Sequence, residues 1–490
     1  MKKTVLIFVL VSVLSACTKD LTKLNVDPKN PALVPSYTLF TQGERVLTNN
    51  MTSSNVNLNI FRLIDQQWQE TTYTDESNYN LNTRQIPDNV WEAMYVQSLS
   101  NLNQAKKLIP TDVADAKTQK NEVAITDILQ VYGFYYLLTT FGNVPYSEAF
   151  NIQNTFPKFD DAATVYADLL KRLDADIAAL DPTGGSFANA DVIYGGDPAQ
   201  WKKFANSFKL KMGITIADVS PALAQSTVES AVTSGVFQSN ADNALFNYLS
   251  APPNTNPIWV DLVQSGRQDF VGCSTMVNYL LAQTDPRLPY YFTTITSDPT
   301  SGYAGLDPGE NGAFGDNSKP SGPLLVAGSV GQITNPNFPG LLLDYSETEF
   351  NLAEAVHRGY AVGGTEESHY NAAITASITY WGASAASAAA YLTQANVLFP
   401  TAGSATDKIH AIAFQKYLAL YNRGWDAWIE TRRLDYPVLN PPPPDLRQSD
   451  FPVRFTYPVN EENTNSVNYK QASQAIGGDV VTTKLWFDVN

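Results

Sequence analysis

The sequence predicts a mainly helical protein built from consecutive helix pairs, with long irregular excursions on one side and a few short strands. Apolar residues recur at three- and four-residue steps along much of the chain. The helical segments follow one another in pairs, as in a helical-repeat scaffold whose repeats have diverged. With 490 residues, 44% of them hydrophobic, the chain is long and apolar enough to form a large core.

The first residues have the layout of a lipoprotein signal peptide. Lys2 and Lys3 precede an apolar run from Val5 to Leu14, which is about ten residues, whereas a membrane-spanning helix needs about twenty. Two small residues then lead to Cys17, as in a bacterial lipobox. We therefore predict that residues 1–16 are removed and that Cys17 carries fatty acyl chains such as palmitate, which anchor the protein to a membrane. The alternative is a plain secretory signal with an incidental cysteine.

The segment after the anchor is predicted to be an extended tether, comprising residues 17–35. It contains Asp27-Pro28, Asn30-Pro31 and Pro35, and a residue before proline is disfavoured in the helical conformation. Residues 36–490 are predicted to form a single helical body.

Within this body, several segments have one apolar face at helical spacing. Asp197-Pro198 has the form of an N-cap followed by proline at the first helical position. Ser346 and Glu349 fit a capping box, and a later helix is predicted from about Asp407 to Arg433. The apolar faces are at Trp91, Met94, Tyr95, Leu99, Leu102 and Leu108; at Ile125, Ile128, Leu129, Tyr132, Tyr135 and Tyr136; at Val165, Leu169, Leu170, Leu173, Ile177 and Leu180; and at Trp201, Phe204, Ala205, Phe208, Met212 and Ile216.

Between the helices lie loop-rich excursions, several of them with many Gly and Pro residues, and long loops in a compact domain are usually functional or disordered. We place these excursions around residues 61–85, 186–196, 250–340 and 440–465. Strand signals are few, and they occur at Val236 to Leu249, Leu288 to Ile295 and Val480 to Val489.

Charge and cysteine content exclude several classes of protein. The formal charge of -16 repels nucleic acid phosphates, so no nucleic acid partner is expected. If one of the two cysteines is lipidated, the other has no disulfide partner. The three histidines show no metal-ligand spacing, so no metal or cofactor is predicted. A calcium ion is the less favoured alternative, because the spacing of the possible oxygen ligands does not match an EF-hand; these ligands are Asp307, Glu310, Asn311, Asp316 and Asn317.

Catalytic signals are weak. No nucleophile elbow is visible. A glycosidase needs two carboxylates across the scissile bond, but among 48 acidic residues some pair can always be proposed. We therefore predict no catalytic residue and no enzyme activity, with a surface glycoside hydrolase as the less favoured alternative.

The best candidate for ligand binding is a segment that mixes aromatic and polar residues without a helical stripe. Aromatic faces can cover the apolar C–H faces of sugar rings, while carboxylates and amides bind hydroxyl groups. The predicted ligand-binding residues are Trp68, Tyr73, Asp75, Asn78 and Tyr79. In the alternative interpretation Trp68 is buried at a helix end and the rest is a solvated loop.

A second candidate is the Gly-rich loop that contains Tyr303 and Phe314, because little regular structure is predicted for these rings to pack on. The alternative is a disordered excursion without a binding role. Trp425 and Trp428 lie in a helical pattern and are predicted to belong to the core.

Several segments, in a shared order from the signal peptide to near the C-terminus, resemble the SusD/RagB family of outer-membrane nutrient-binding lipoproteins. Each match alone is weak, but their common order is specific. The matching segments are Asn25-Val26-Asp27-Pro28, residues 139–150 with Gly142-Asn143-Val144-Pro145-Tyr146, Trp201 to Met212, Glu349 to Ala355, Asn422 to Trp428 with Thr431-Arg432-Arg433, and Arg454 to Pro458.

This resemblance implies a tetratricopeptide-like scaffold of four helix pairs, decorated by an irregular, loop-rich capping region. It also implies a function at the outer membrane, where the lipid-anchored protein would capture an oligosaccharide at the cell surface. The bound ligand would pass unchanged to a SusC-like TonB-dependent porter, the expected protein partner. A peptide receptor of the same architecture is the alternative within this resemblance.

Overall fold

Helices make up most of the computed structural model, which describes residues 34–295, 302–321 and 332–490. The predicted signal peptide, Cys17 and the tether up to residue 33 lie outside the described residues. A π-helical segment, Ala93–Leu99, joins α3 to α4. The helices of the first half are α1 Ser36–Thr52, α2 Phe61–Ile64, α3 Ile86–Glu92, α4 Ser100–Asp112, α5 Ala116–Phe141, α6 Ala162–Ala179, α7 Pro198–Thr215 and α8 Pro221–Ser234.

The second half contains shorter helices before its long ones. The helices are α9 Pro257–Trp259, α10 Ser274–Ala282, α11 Leu288–Tyr291, α12 Tyr345–His357, α13 Glu366–Tyr380, α14 Ala385–Leu392, α15 Ala405–Ala419, α16 Gly424–Leu434, α17 Val459–Thr464 and α18 Ser466–Ala475. The most extensive helix packing joins α1 to α4, α5 to α6, α7 to α8 and α12 to α13. This mainly helical, pairwise architecture confirms the predicted fold class.

The sequence signals at helix starts had mixed outcomes. Asp197 caps α7 as predicted, because its carboxylate accepts a hydrogen bond from the Ala199 N–H at 2.8 Å. The predicted capping box at Ser346 and Glu349 is wrong. Asp344 caps α12 instead, and the Ser346 hydroxyl donates to the carbonyl of Ala373 on α13.

The prediction of one continuous helix from about Asp407 to Arg433 is also wrong. Two helices, α15 and α16, form instead, because Asn422 between them adopts a left-handed φ of 67°. Gly424, the first residue of α16, lies against the backbone of Arg62, and a Cβ there would come within 2.4 Å of the Arg62 nitrogen.

Four short strands form two antiparallel sheets within the described residues. β1 Trp68–Glu70 pairs with β3 Phe270–Gly272, and β2 Ala244–Phe246 pairs with β4 Gly340–Leu343. Only one of the three sequence-predicted strands forms, as β2. The segment from Leu288 begins as helix α11. Residues 480–489 form turns and no strand: Leu485 and Phe487 are buried, Val480 and Val489 are exposed, and the backbone contact with residues 453–454 is confined to the Val481 carbonyl.

The core contains buried charges as well as aromatic rings. Lys211 on α7 pairs with Glu347 on α12 at 2.9 Å and with Asp426 on α16. Arg423 contacts the same two carboxylates, at 2.6 and 2.8 Å. These buried ion pairs connect α7, α12 and the start of α16, three elements distant in sequence.

Trp425 and Trp428 lie in the core, as predicted. The Trp425 ring stacks on Phe61, and the Trp428 ring lies tilted beside Phe61. Within the described residues, no helix combines the length and apolar character that crossing a membrane requires.

Candidate functional site

The two sequence-predicted binding segments lie next to each other at the β1–β3 sheet. Thr71, directly after β1, accepts a hydrogen bond from the Gly312 N–H at 3.0 Å. The loop that contains Gly312 reaches the sheet by a parallel bridge between Leu306 and Cys273. Residues 68–79 and 303–314, proposed as separate candidates, therefore form one surface.

Gln69 joins the two segments from inside. Its buried side-chain amide donates to the Glu310 carbonyl at 3.1 Å, and its oxygen accepts from the Gly309 N–H at 3.1 Å. A buried amide with both ends bonded holds its partners in a single geometry. Gln69 thus fixes the loop relative to β1.

The turn after β1 is fixed by a second amide. Asn78 donates to the carbonyl of Thr74 at 2.8 Å and to that of Gly309 at 2.9 Å. Gly309 has a φ of +77°, and a Cβ at this position would come within 2.3 Å of the Asn78 oxygen. Only glycine combines this conformation with so close an approach.

Exposed side chains of several types project from this scaffold. Tyr73 is 65% exposed, and Asp75 is also exposed. Arg267, just before β3, forms an ion pair with Asp269, which raises the pKa of the guanidinium. Hydrogen bonds place this segment beside the turn: the Thr71 N–H donates to the Asp269 carbonyl at 2.9 Å, and the Thr71 hydroxyl donates to the Gln268 carbonyl at 2.8 Å.

Phe314 extends the surface from the loop. Its ring is half-buried, and the Lys319 ammonium lies 5.0 Å from the ring centroid. The Gly312–Thr71 hydrogen bond joins the two segments. Tyr73 comes two residues after Thr71, and Phe314 comes two residues after Gly312. We call the surface formed by Tyr73, Asp75, Arg267, Asp269 and Phe314 the Tyr73 face.

The other sequence-predicted residues lie beneath or beside this face. Trp68 is 1% exposed, and its indole N–H donates to the Tyr421 hydroxyl at 3.1 Å. Asn78 and Tyr79 are buried, and Tyr303 is half-buried against the core. For Trp68 the structure corrects the prediction of a ligand contact, because the core covers the indole; the alternative considered from the sequence, a buried Trp68, is the arrangement found.

Sequence reasoning missed Arg267, Asp269 and Lys319. Arg267 and Asp269 precede a strand of only three residues, too short for an alternation pattern to identify. The signal that was available is local: the polar run from Gln264 to Asp269 interrupts an otherwise apolar stretch.

Tyr79 also lines a small apolar cavity of about 190 Å³. Its walls include the proline-rich segment after α16, and Pro442 of that segment also approaches Gly309. The lining residues are Tyr79, Thr431, Arg432, Asp435, Pro437, Val438, Leu439, Pro441, Phe451 and Val453. The cavity holds space for a small apolar group only, whereas the Tyr73 face is open.

Two carboxyl groups lie beneath the turn. Glu70 is buried, and burial together with the neighbouring Glu76 raises its pKa well above the usual value. Its oxygen accepts from both the N–H and the hydroxyl of Ser77 at 2.9 Å. Glu76 is fully buried and bonded to Arg84. Neither carboxyl can reach a bond of a surface ligand in this conformation, so their role here is to shape the turn.

No group of three or more His, Cys, Asp or Glu side chains within the described ranges is arranged to hold a metal ion. The histidines are engaged elsewhere. His357 is bonded to Glu366 at 2.8 Å, His369 to Glu349 at 2.6 Å, and His410 stacks on Tyr436 at 3.9 Å.

A protein-family model matches residues 28–458 of the chain, and its description is SusD-like, starch-binding and associating with the outer membrane. Among functionally curated proteins, none matches the sequence significantly.

Solved structures resemble the chain over nearly its whole length. A chitin-binding protein is 26% identical, with a TM-score of 0.79 over 93% of this chain and 100% of the other. A SusD homologue from Bacteroides uniformis is 23% identical, with a TM-score of 0.80 over 93% and 100%. A chitin-binding SusD homologue from Flavobacterium johnsoniae is 24% identical, with a TM-score of 0.77 over 92% and 99%.

Proposed function

The chain belongs to the SusD-like family of outer-membrane-associated binding proteins, and from this membership we propose that it is a surface lipoprotein that captures an oligosaccharide at the Tyr73 face. The ligand is then passed, with no bond changed, to a SusC-like TonB-dependent porter. Cys17 carries the lipid anchor. The observation that carries the choice of site is the 65% exposure of the Tyr73 ring on an otherwise hydrogen-bonded, rigid turn.

The Tyr73 face has the chemical groups that sugar binding requires. An exposed phenol ring can cover the apolar face of a pyranose, and Asp75, Asp269 and Arg267 offer acceptors and donors to hydroxyl groups. Gln69 and Asn78 hold the supporting segments, so little ordering is needed when a ligand binds. Relatives of similar fold whose names state chitin binding support a glycan ligand.

An open aromatic surface favours a glycan over a peptide. A peptide receptor is expected to have a deep, charged pocket at its binding site, whereas the cavity that adjoins this candidate site, beside Tyr79, is small and mostly apolar. Membership of a family described as starch-binding supports binding without hydrolysis.

The partnership with a porter rests on family membership. A permanent complex of this kind is expected to bury more than about 2,000 Å². Weak binding through several contacts would suit release of the ligand into the porter.

The test is retention of the purified protein in affinity gels containing chitin oligomers, starch or other glycans. Replacing Tyr73 by Ala should weaken retention, since a truncated aromatic anchor often costs more than about 2 kcal/mol of binding. Its melting temperature should stay close to that of the natural protein, because the ring is exposed.

Trp68→Ala is the matched contrast. It removes a buried aromatic ring and should lower the free energy of unfolding by about 3–5 kcal/mol. Unchanged retention of Tyr73→Ala on every glycan that the natural protein binds would refute the proposed site. Release of reducing ends from a bound glycan, abolished by replacing one carboxylate, would refute binding without hydrolysis.

A further inference from the structure

Three exposed carboxylates at and beside the Tyr73 face have no ion-pair partner among the described residues. Asp75 lies in the turn that carries Tyr73, and Asp307 and Glu310 lie in the loop that is bonded to this turn. The Asp75 carboxylate accepts a hydrogen bond from the Asn80 amide at 3.3 Å. The three negative charges are therefore open to a ligand.

Asp75 and Glu310 belong to segments that meet at Asn78. The Asn78 N–H donates to the Asp75 carbonyl at 3.2 Å, and the Asn78 side-chain amide donates at 2.9 Å to the carbonyl of Gly309, the residue before Glu310. Surface charges act on a ligand over about 10 Å at an ionic strength of about 0.1 M. A glycan chain that extends across the Tyr73 ring therefore lies within range of both carboxylates.

The arginines around this turn are already bonded to carboxylates. Gln448, next to Arg447, donates its N–H to the Asn78 carbonyl at 2.8 Å, which brings that arginine near the turn. The ion pairs are Arg84 with Glu76 at 2.6 Å, Arg267 with Asp269, and Arg447 with Asp450 at 3.1 Å. The charge of each of these guanidinium groups is therefore neutralised before a ligand arrives.

Lys319 brings a positive charge to the loop, and an acidic residue accompanies it. The Lys319 ammonium lies 5.0 Å from the centroid of the Phe314 ring, and the exposed Asp316 comes three residues earlier. In sequence, residues 296–301 and 322–331, which border the described loop, contain no Lys or Arg. The charges at and beside the Tyr73 face therefore sum to a negative value.

A surface of this kind suits a ligand that donates hydrogen bonds. A carboxylate only accepts hydrogen bonds, whereas a sugar hydroxyl or the N–H of an N-acetyl group can donate to it. A uronate or sulfate group replaces such a donor by a negatively charged acceptor. It has no hydrogen to offer to Asp75 or Glu310, and both carboxylates repel it.

We propose that the Tyr73 face selects uncharged glycans and rejects chains whose sugars carry carboxylate or sulfate groups, and that Asp75 and Glu310 cause the rejection. The inference rests on the proposed glycan function and adds the class of glycan to it. An aromatic ring can cover the apolar face of a sugar whether or not that sugar is charged, so the carboxylates discriminate and the ring does not.

The test measures binding of the complete mature chain to cross-linked gels of matched polymers. Each pair consists of the hydroxyethyl and the carboxymethyl form of starch, chitin or cellulose, whose substituents are similar in size and differ in charge. We expect the carboxymethyl form to bind at least about fivefold more weakly at low salt. The difference should shrink at about 0.5 M NaCl, because salt screens the repulsion.

Substitutions test whether the carboxylates of this surface cause the difference, and the readout is the ratio of the affinities for the two forms of one polymer. Glu310→Lys and Asp75→Asn should each raise the relative affinity for the carboxymethyl form, Glu310→Lys by about threefold or more. Glu367→Lys, at an exposed position of α13, changes the net charge equally and should leave the ratio as it is. Equal ratios in Glu310→Lys and Glu367→Lys would refute the role of Glu310, since the net charge of -16 would then account for the repulsion.

The outcomes separate this inference from the proposed function. If the natural chain binds a carboxymethyl polymer as tightly as its hydroxyethyl form, or more tightly, charge selection is refuted while glycan capture stands. If it binds neither form of any of these polymers and no other neutral glycan, both are refuted.

Discussion

At the scale of single residues, the environment of His369 gives the molecule a defined pH dependence. The His369 ring is bonded to Glu349 at 2.6 Å and to the Gly363 carbonyl at 3.1 Å, which connects α13 to α12. Burial lowers the pKa of His369, but the bond and the charge of Glu349 raise it more, so the net pKa lies above the usual 6.5. The protonated ring is thus favoured in the folded state.

The sign of this effect leads to the first residue-scale prediction. A histidine with a raised folded-state pKa stabilises fully below pH 6.5, and this contribution is lost as the pH rises through the folded-state pKa. His369→Gln should therefore reduce the fall in unfolding free energy between pH 6 and pH 8, measured by urea denaturation. Glu349→Gln should do the same. An unchanged pH profile in both variants would show that the pair is not linked to stability.

At the scale of elements, the sheet and the loop beside it behave as one unit because of Gly309. Its left-handed backbone and its contact with Asn78 allow the 303–314 loop to lie on the turn that carries Tyr73. The candidate site therefore depends on a residue without a side chain.

Gly309→Ala should destabilise this unit. The added Cβ would meet Asn78 at 2.3 Å and Pro442 at 2.7 Å in an unfavourable backbone conformation, so we expect a loss of about 2 kcal/mol or more of unfolding free energy. Glycan retention should weaken as the loop moves. Gly315→Ala, where a Cβ meets nothing within 4 Å, is the matched control. Equal melting temperatures for the two variants would contradict this account of the loop.

At the scale of the whole molecule, buried ion pairs connect helices that are far apart in sequence. Lys211 is 1% exposed and contacts Glu347 and Asp426 from two other helices. Both carboxylates raise its pKa against the opposing effect of burial, so the side chain stays charged.

Lys211→Met should be strongly destabilising. It leaves an excess of buried negative charge, and removing one partner of a buried pair costs about 3–5 kcal/mol. Thermal or urea unfolding would measure this loss. Lys171→Met, at an exposed position of α6, should change stability little. If Lys211→Met lowered the unfolding free energy no more than Lys171→Met does, Arg423 alone would be sufficient to neutralise Glu347 and Asp426.

The proposed lipid anchor at Cys17 determines where the whole molecule is located. If Cys17 carries the proposed lipid anchor, Cys17→Ala should release the protein from membranes into the soluble fraction, because stable attachment would depend on those acyl chains. Fractionation followed by mass spectrometry of the N-terminus would measure this. Membrane association that persists in the variant would require another attachment, and an unmodified N-terminus on the natural protein would refute lipidation.

Local patterns in the sequence determined the helices and much of the core. The apolar stripe that contains Trp201 and Phe208 predicted α7, and Asp197-Pro198 predicted its start, because capping and periodicity depend on neighbouring residues only. The ordered matching segments also indicated the family that the family model confirms.

Tertiary structure decided which aromatic residues could meet a ligand. Trp68 and Tyr73 lie on one short segment with no helical or alternating pattern, yet the first is 1% exposed and the second 65%. The difference arises because Tyr421 and Phe270, distant in sequence, cover Trp68 and do not reach Tyr73. Arg267 and Asp269 are also brought beside the Tyr73 segment by long-range structure, because β1 pairs with β3. Burial is a property of long-range packing, so the sequence alone identified the segments and the fold identified the exposed face.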